Sequence, residues 1–155
     1  VHGSASVPSV EEMQLAILQI IQQLYSLKDD QGEPINENAR QFLIMVPTRM
    51  WNVAKAATAA PVITHGQTNL IKTMDEISLS VAMNPRLSWT DKLAIFRTDG
   101  AVKPLIRQEE EAVILKAIAE GSELEFNEDK HRYGVDTWRN VGLGFWQHAC
   151  LAQLV

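Results

Sequence analysis

The sequence predicts a mixed α+β fold, and three patterns carry that reading. A capped amphipathic helix stands near the start of the chain. Short apolar runs of strand length follow it, one of them between two helical segments. Beyond Lys103-Pro104 the chain turns acidic and then closes in long strand-like stretches.

The helix begins at Ser9. Ser9 and Glu12 have the S-x-x-E spacing that lets each side chain satisfy an orphan amide of the first turn. Met13, Ile17, Ile20, Ile21, Leu24 and Leu27 then recur at three- and four-residue steps, so one stripe is apolar. Gln14, Gln19, Gln22, Gln23 and Ser26 take the other side, and Lys28 to Pro34 supplies turn formers. Phe42–Val46 is a continuous apolar run, short enough for a strand buried on both faces. Pro47 ends it and presets the start of a second helix, Thr48 to Ala60. Helix, strand and helix in succession call for a layered α/β region.

Ile77, Leu79, Val81 and Met83 alternate with small polar or small residues, the period of a half-buried strand. Leu93–Phe96 is another short strand, closed by Asp99-Gly100. The stretch Glu109 to Asp129 carries eight of the 19 acidic residues and a single base, Lys116. Within it, Ala112–Ala119 satisfies both a helical and a period-two reading. Arg132 to Leu154 reads as two long strands, with the break at Asn140. His65 to Asn69 reads as a polar loop.

Composition bounds function. The 155 residues are 46% apolar and 21% charged, the mix of a globular chain with one core or two small lobes. A net charge of −5 and a pI near 5.3 disfavour binding to phosphate backbones. No apolar run approaches the roughly 20 residues that span a bilayer. The single cysteine, Cys150, removes any internal disulfide or Cys-rich zinc site and fits a reducing compartment. Val1 to Ser6 lacks an initiator Met and a signal pattern, and reads as a tag remnant or a cut inside a longer protein.

Catalytic constellations are sparse. His148 and Cys150 stand two apart and would share a face of a strand, as a cysteine nucleophile and its base would require. The plainer reading is a buried thiol beside a packed imidazole. His2, His65 and His131 have no ligand spacing. Gly142-Leu143-Gly144 lacks the third glycine and the following helix of a dinucleotide fingerprint. The acidic stretch lacks a D-x-D-x-D-G calcium loop and reads as a solvated face. Of the four tryptophans, Trp51 and Trp146 are expected in the core, with Trp89 and Trp138 left open. No catalytic, cofactor-binding or metal-ligating residue is assigned, and no cofactor is expected.

The ending His131-Arg132-Tyr133-Gly134-Val135-Asp136, then Arg139-Asn140-Val141-Gly142-Leu143-Gly144-Phe145-Trp146-Gln147-His148-Ala149, resembles the carboxyl end of the major head subunit of Mu-like prophages. Leu43 to Pro47 and Lys103 to Gln108 resemble two further segments of that family, so the likeness runs from about Ser9 onward. It implies the tailed-phage major-capsid fold. Residues 1–8 would be a tag remnant or disordered start. Residues 9–102 would form the axial α/β domain, and 103–155 a peripheral β segment whose last strand returns to the axial core. It also favours a strand for Ala112–Ala119.

The resemblance further implies a structural protein that builds an icosahedral shell from copies of itself, together with other head-assembly proteins. The same source places it in the virion capsid, and in the bacterial cytoplasm before assembly. No membrane contact and no sequence-specific nucleic acid binding are expected. Family members are roughly twice as long, and their amino-terminal arm, extended loop and spine helix have no counterpart before Ser9; the chain would be the carboxyl-terminal half. The alternatives are a small cytosolic enzyme using Cys150 and His148, or an acidic protein-interaction module.

Overall fold

The computed structural model describes residues 7–62, 66 and 68–154. His2 and His65 therefore lie outside the described residues. The described chain divides into two compact units. One holds the chain up to Pro104 and again from Gly144, and the other is Leu105–Leu143.

In the first unit, helix α1 runs Val10–Ser26, and the expected capping box is formed. Ser9 N donates to Glu12 Oε2 at 2.7 Å, and Glu12 N donates to Ser9 Oγ at 3.2 Å. The turn after α1 is tied by Asp29 Oδ1, which accepts from the amides of Gln31 and Glu33, and Gly32 supplies the positive φ it needs. Strand β1 (Gln41–Val46) leads through Pro47 into a 3₁₀ turn, Thr48–Met50, and helix α2, Trp51–Ala59. A one-turn helix α3 (Leu70–Thr73) precedes β2 (Ser78–Met83) and β3 (Lys92–Arg97). After Gly144 a 3₁₀ turn, Trp146–His148, enters β6, Ala149–Gln153.

These strands form one sheet in the order β2-β1-β3-β6. β1 runs parallel to β2, with Ile44 opposite Val81, and antiparallel to β3, with Ile44 opposite Ile95. β3 pairs antiparallel with β6, with Ile95 opposite Cys150. α1 packs on β3 and β6, and α2 on α1 and β2. The core is the predicted α1 stripe (Met13, Ile17, Ile20, Leu24) against Phe42, Ile44, Val46, Leu93 and Ile95. Ala54 and Ala57 are fully buried, and such small side chains let α2 approach closely.

Four expectations need correction here. β1 is not buried on both faces: Phe42, Ile44 and Val46 are buried, while Leu43 and Met45 are only half-buried on the side away from the helices. Trp51 is 39% exposed because the buried stripe of α2 runs through Met50, Ala54 and Ala57, about 100° round the helix at 3.6 residues per turn. Trp146 is 64% exposed, since in its turn His148 takes the interior position. The break between the last strands falls at residues 144–148 rather than at Asn140.

The polar segment ending at Asn69 is more than a loop at that residue. Asn69 is fully buried. Its Nδ2 donates to the carbonyls of Ala57 and Ala60, both at 2.8 Å, and its Oδ1 accepts from Gln14 Nε2 and from the Ile71 amide. Asn36, also fully buried, does the same at the other end of the unit. Its Nδ2 donates to the carbonyls of Leu24 and Gln147, and its Oδ1 accepts from Arg97 Nη1.

Candidate assembly surface

The second unit is an antiparallel ribbon of β4 (Leu105–Ile118) and β5 (Arg132–Leu143), joined through a short helix α4, Glu123–Glu128. Ala112 to Ile118 is thus strand, as the resemblance favours; the chain leaves the strand at Ala119. The local reason is β-branched and alternating content (Val113, Ile114, Ile118) that a cross-strand partner can use. Ser122 caps α4 by accepting from the Glu125 amide, and Asp129 ends it in the left-handed region at φ 52°.

No part of the ribbon is buried. Every residue of β4 is exposed, as is every residue of β5 except the half-buried Thr137. The pairing sorts the side chains into two faces. One carries Leu105, Leu115, Tyr133, Val135, Val141 and Leu143, with the Arg107–Glu109 ion pair and Arg139 among them. The other carries Ile106, Ile114, Ile118 and Trp138, with the Lys116–Asp136 ion pair, Asn140 and two glycines. Phe126 on α4 is 92% exposed and Trp138 is 67% exposed. A single two-stranded ribbon is marginal in water, and a contiguous exposed apolar surface marks an interaction site.

The acids of Glu109–Asp129 are solvated, with local partners. Besides the two strand pairs, Glu128 meets Lys130 at 3.3 Å and Glu125 meets His131 Nε2 at 3.0 Å. The hydrogen bond to His131 is the main influence lowering the Glu125 carboxyl, with the Gly121 amide adding to it. Among the described residues no group of three or more His, Cys, Asp or Glu is placed to hold a metal.

The His148/Cys150 pairing is not assembled. His148 lies in the 3₁₀ turn, buried, with its Nδ1 2.9 Å from the Val102 carbonyl. That contact makes Nδ1 the protonated nitrogen. The ring meets Phe145 edge-on at 4.7 Å and sits against Gly100, where a Cβ would come within 2.7 Å of Cε1. Cys150 belongs to β6 and packs against the core beside α1. Burial pushes its thiol above the ordinary value, the opposite of what a nucleophile needs. Among the described residues no hydrogen bond joins the two side chains.

One known family is similar to the stretch that contains this surface. Residues 80–154 match the model of the Mu-like prophage major head subunit gpT. The matched span begins inside β2 and runs through β6. It takes in the whole ribbon, β3, β6 and most of β2 of the larger sheet, and both carboxyl-terminal motifs, whose resemblance is borne out over that span. The family is one of structural proteins of the phage head. Comparison with curated proteins and with solved structures found no match. No helix among the described residues is long and apolar enough to cross a membrane.

Sequence reasoning gave no sign that the ribbon's apolar residues stay exposed, because alternation in a strand ordinarily signals one buried face. The signal that could have done so is the ratio of strand to cover. Between Leu105 and Leu143 only the six-residue α4 accompanies the two strands, too little to shield even one of their faces.

Proposed function

We propose that this chain is a shell-forming piece of a phage head subunit that works by associating with copies of itself. The observation that carries this is that the matched span takes in a ribbon whose strands keep all their apolar residues exposed. A shell protein acts through surfaces, and each subunit must hold its neighbours through several of them. The first unit has the α/β character of the axial domain of the tailed-phage capsid fold, and the ribbon that of part of the peripheral domain. In this reading β6 is the strand that returns to the axial sheet, the protein performs no catalysis, it reaches the virion capsid from the bacterial cytoplasm, and other head-assembly proteins take part.

The test is the protein content of heads purified from a host carrying the parent prophage. Mass spectrometry should find peptides from residues 80–154 in the principal shell protein. Their absence from the shell, or their presence only at trace level, would overturn the reading.

A further inference from the structure

We propose that β5 pairs with β5 of a second copy of the chain, antiparallel, about a two-fold axis through Trp138. This deepens the self-association proposed above, and rests on it for the identity of the partner.

The ribbon has two outer edges, and they differ. β4 is interrupted by two register shifts, between Glu109 and Glu111 and between Glu111 and Ile114, and it carries three consecutive glutamates there. Bulges and charges of this kind keep an edge from accepting another strand. β5 has neither a bulge nor a run of like charges. It runs twelve residues, the extra residues of both irregularities fall on β4, and its second edge has no partner among the described residues.

The sequence of β5 is also partly symmetric about Trp138 in residue class. From Tyr133 to Leu143 it reads Tyr-Gly-Val-Asp-Thr-Trp-Arg-Asn-Val-Gly-Leu. A two-fold axis perpendicular to a sheet keeps each face on its own side, so odd positions must meet odd and even meet even. Centred on Trp138, that register sets Tyr133 opposite Leu143, Val135 opposite Val141 and Thr137 opposite Arg139 on one face. On the other it sets Gly134 opposite Gly142, Asp136 opposite Asn140, and Trp138 opposite its own copy. Apolar meets apolar, small meets small, and no like charges stand directly opposed. Arg139 already has Glu109 across the ribbon, and Asp136 has Lys116. A two-fold pairing of β4 edges would instead bring glutamate runs together. Cross-strand pairs are the unit of sheet stabilisation, and an exposed tryptophan at the centre is the residue type that anchors interfaces. The product is a four-stranded sheet in which the apolar residues of both copies lie on shared faces, with Thr137 and Arg139 beside the axis on one and Trp138 on the other.

Light scattering on the eluting 155-residue chain should give a mass moving from 17.3 kDa towards twice that value as concentration rises. Trp138→Lys places two cations on the axis and should raise the dissociation constant at least about tenfold. Register is read with cysteines in a Cys150→Ser background. Trp138→Cys should give a covalent dimer on mild oxidation. Asp136→Cys and Asn140→Cys, mixed, should link to each other rather than each to itself. Same-residue pairs would be offset by four positions, about 13 Å, beyond the roughly 7 Å that a disulfide tolerates between Cα atoms. A monomer at every concentration, a dimer indifferent to Trp138→Lys, or self-linking of Asp136→Cys would each overturn the proposal. Far-UV circular dichroism of each variant verifies the fold, and the cysteine pairs decide even if Trp138→Lys unfolds. None of these outcomes bears on whether the chain occurs in heads.

Discussion

The two units spend similar residue types in opposite ways. In the first, Ile, Leu, Met and Phe side chains from α1, β1 and β3 close on one another and leave little to solvent. In the second, Leu115, Tyr133, Val135, Trp138 and Leu143 are as apolar, yet more than half of each side chain's surface is open. The difference lies in layering. The first unit stacks helices on a four-stranded sheet, whereas Leu105–Leu143 is a single layer of two strands. Patterning alone makes a strand; a second layer makes a core.

The contrast is broken most severely at α1. Ile20→Asp buries an unpaired carboxylate in the core stripe and should cost at least about 3 kcal/mol in urea unfolding. The equivalent change on the ribbon, Leu115→Asp, should shift stability by no more than about 0.5 kcal/mol, the range of surface substitutions. Equal costs at the two positions would erase the distinction.

Next in size is Asn36→Ala. It leaves the Leu24 and Gln147 carbonyls and the Arg97 guanidinium short of a buried partner, at about 2 kcal/mol. Urea unfolding at neutral pH reads it, and a loss below about 0.5 kcal/mol would show that water substitutes freely there.

A pH series sharpens the comparison. Partial burial works to raise the Asp99 carboxyl. The bonds from Arg97 Nε at 2.7 Å and the Arg40 amide at 2.6 Å, with the Arg97 charge, carry it below the ordinary 3.8. A carboxyl depressed on folding stabilises above its unfolded pKa, and that stability is lost as pH falls through the lower folded value. Thermal melts of the parent should therefore weaken as pH falls below about 3.8, and Asp99→Asn should lack that part of the acid limb. Parallel acid limbs would contradict the assignment. Glu109, Glu110 and Glu111→Gln should likewise have little effect, within about 0–1 kcal/mol for exposed charges. Collapse of the chain on that change would make those charges structural.

Much of the first unit could be read directly. The Ser9–Glu12 box, the α1 stripe, the Phe42–Val46 run ended by Pro47, and the alternation up to Met83 each follow from local geometry. What could not be read depends on the third dimension. Trp51 looks like core until the angle of α2 on the sheet is known, and Asn69 looks like loop until Gln14 reaches it across 55 positions. The strand break moved from Asn140 because Val141 to Leu143 still pair with Leu105 to Arg107. For the candidate surface, the motifs around Tyr133 and Trp146 pointed to the family whose model matches residues 80–154, but exposure of the ribbon follows from a missing layer, which no local pattern encodes.

Hydrogen exchange read by mass spectrometry at several protein concentrations tests most directly the claim that one unit is self-sufficient while the other is completed by a second copy. Amides of α1, β1 and β3 should exchange slowly and at the same rate throughout. Amides of β5 should exchange fast in dilute solution and slow progressively as concentration rises. Exchange in β5 that ignores concentration, or a first unit that exchanges as fast as the ribbon, would contradict the account.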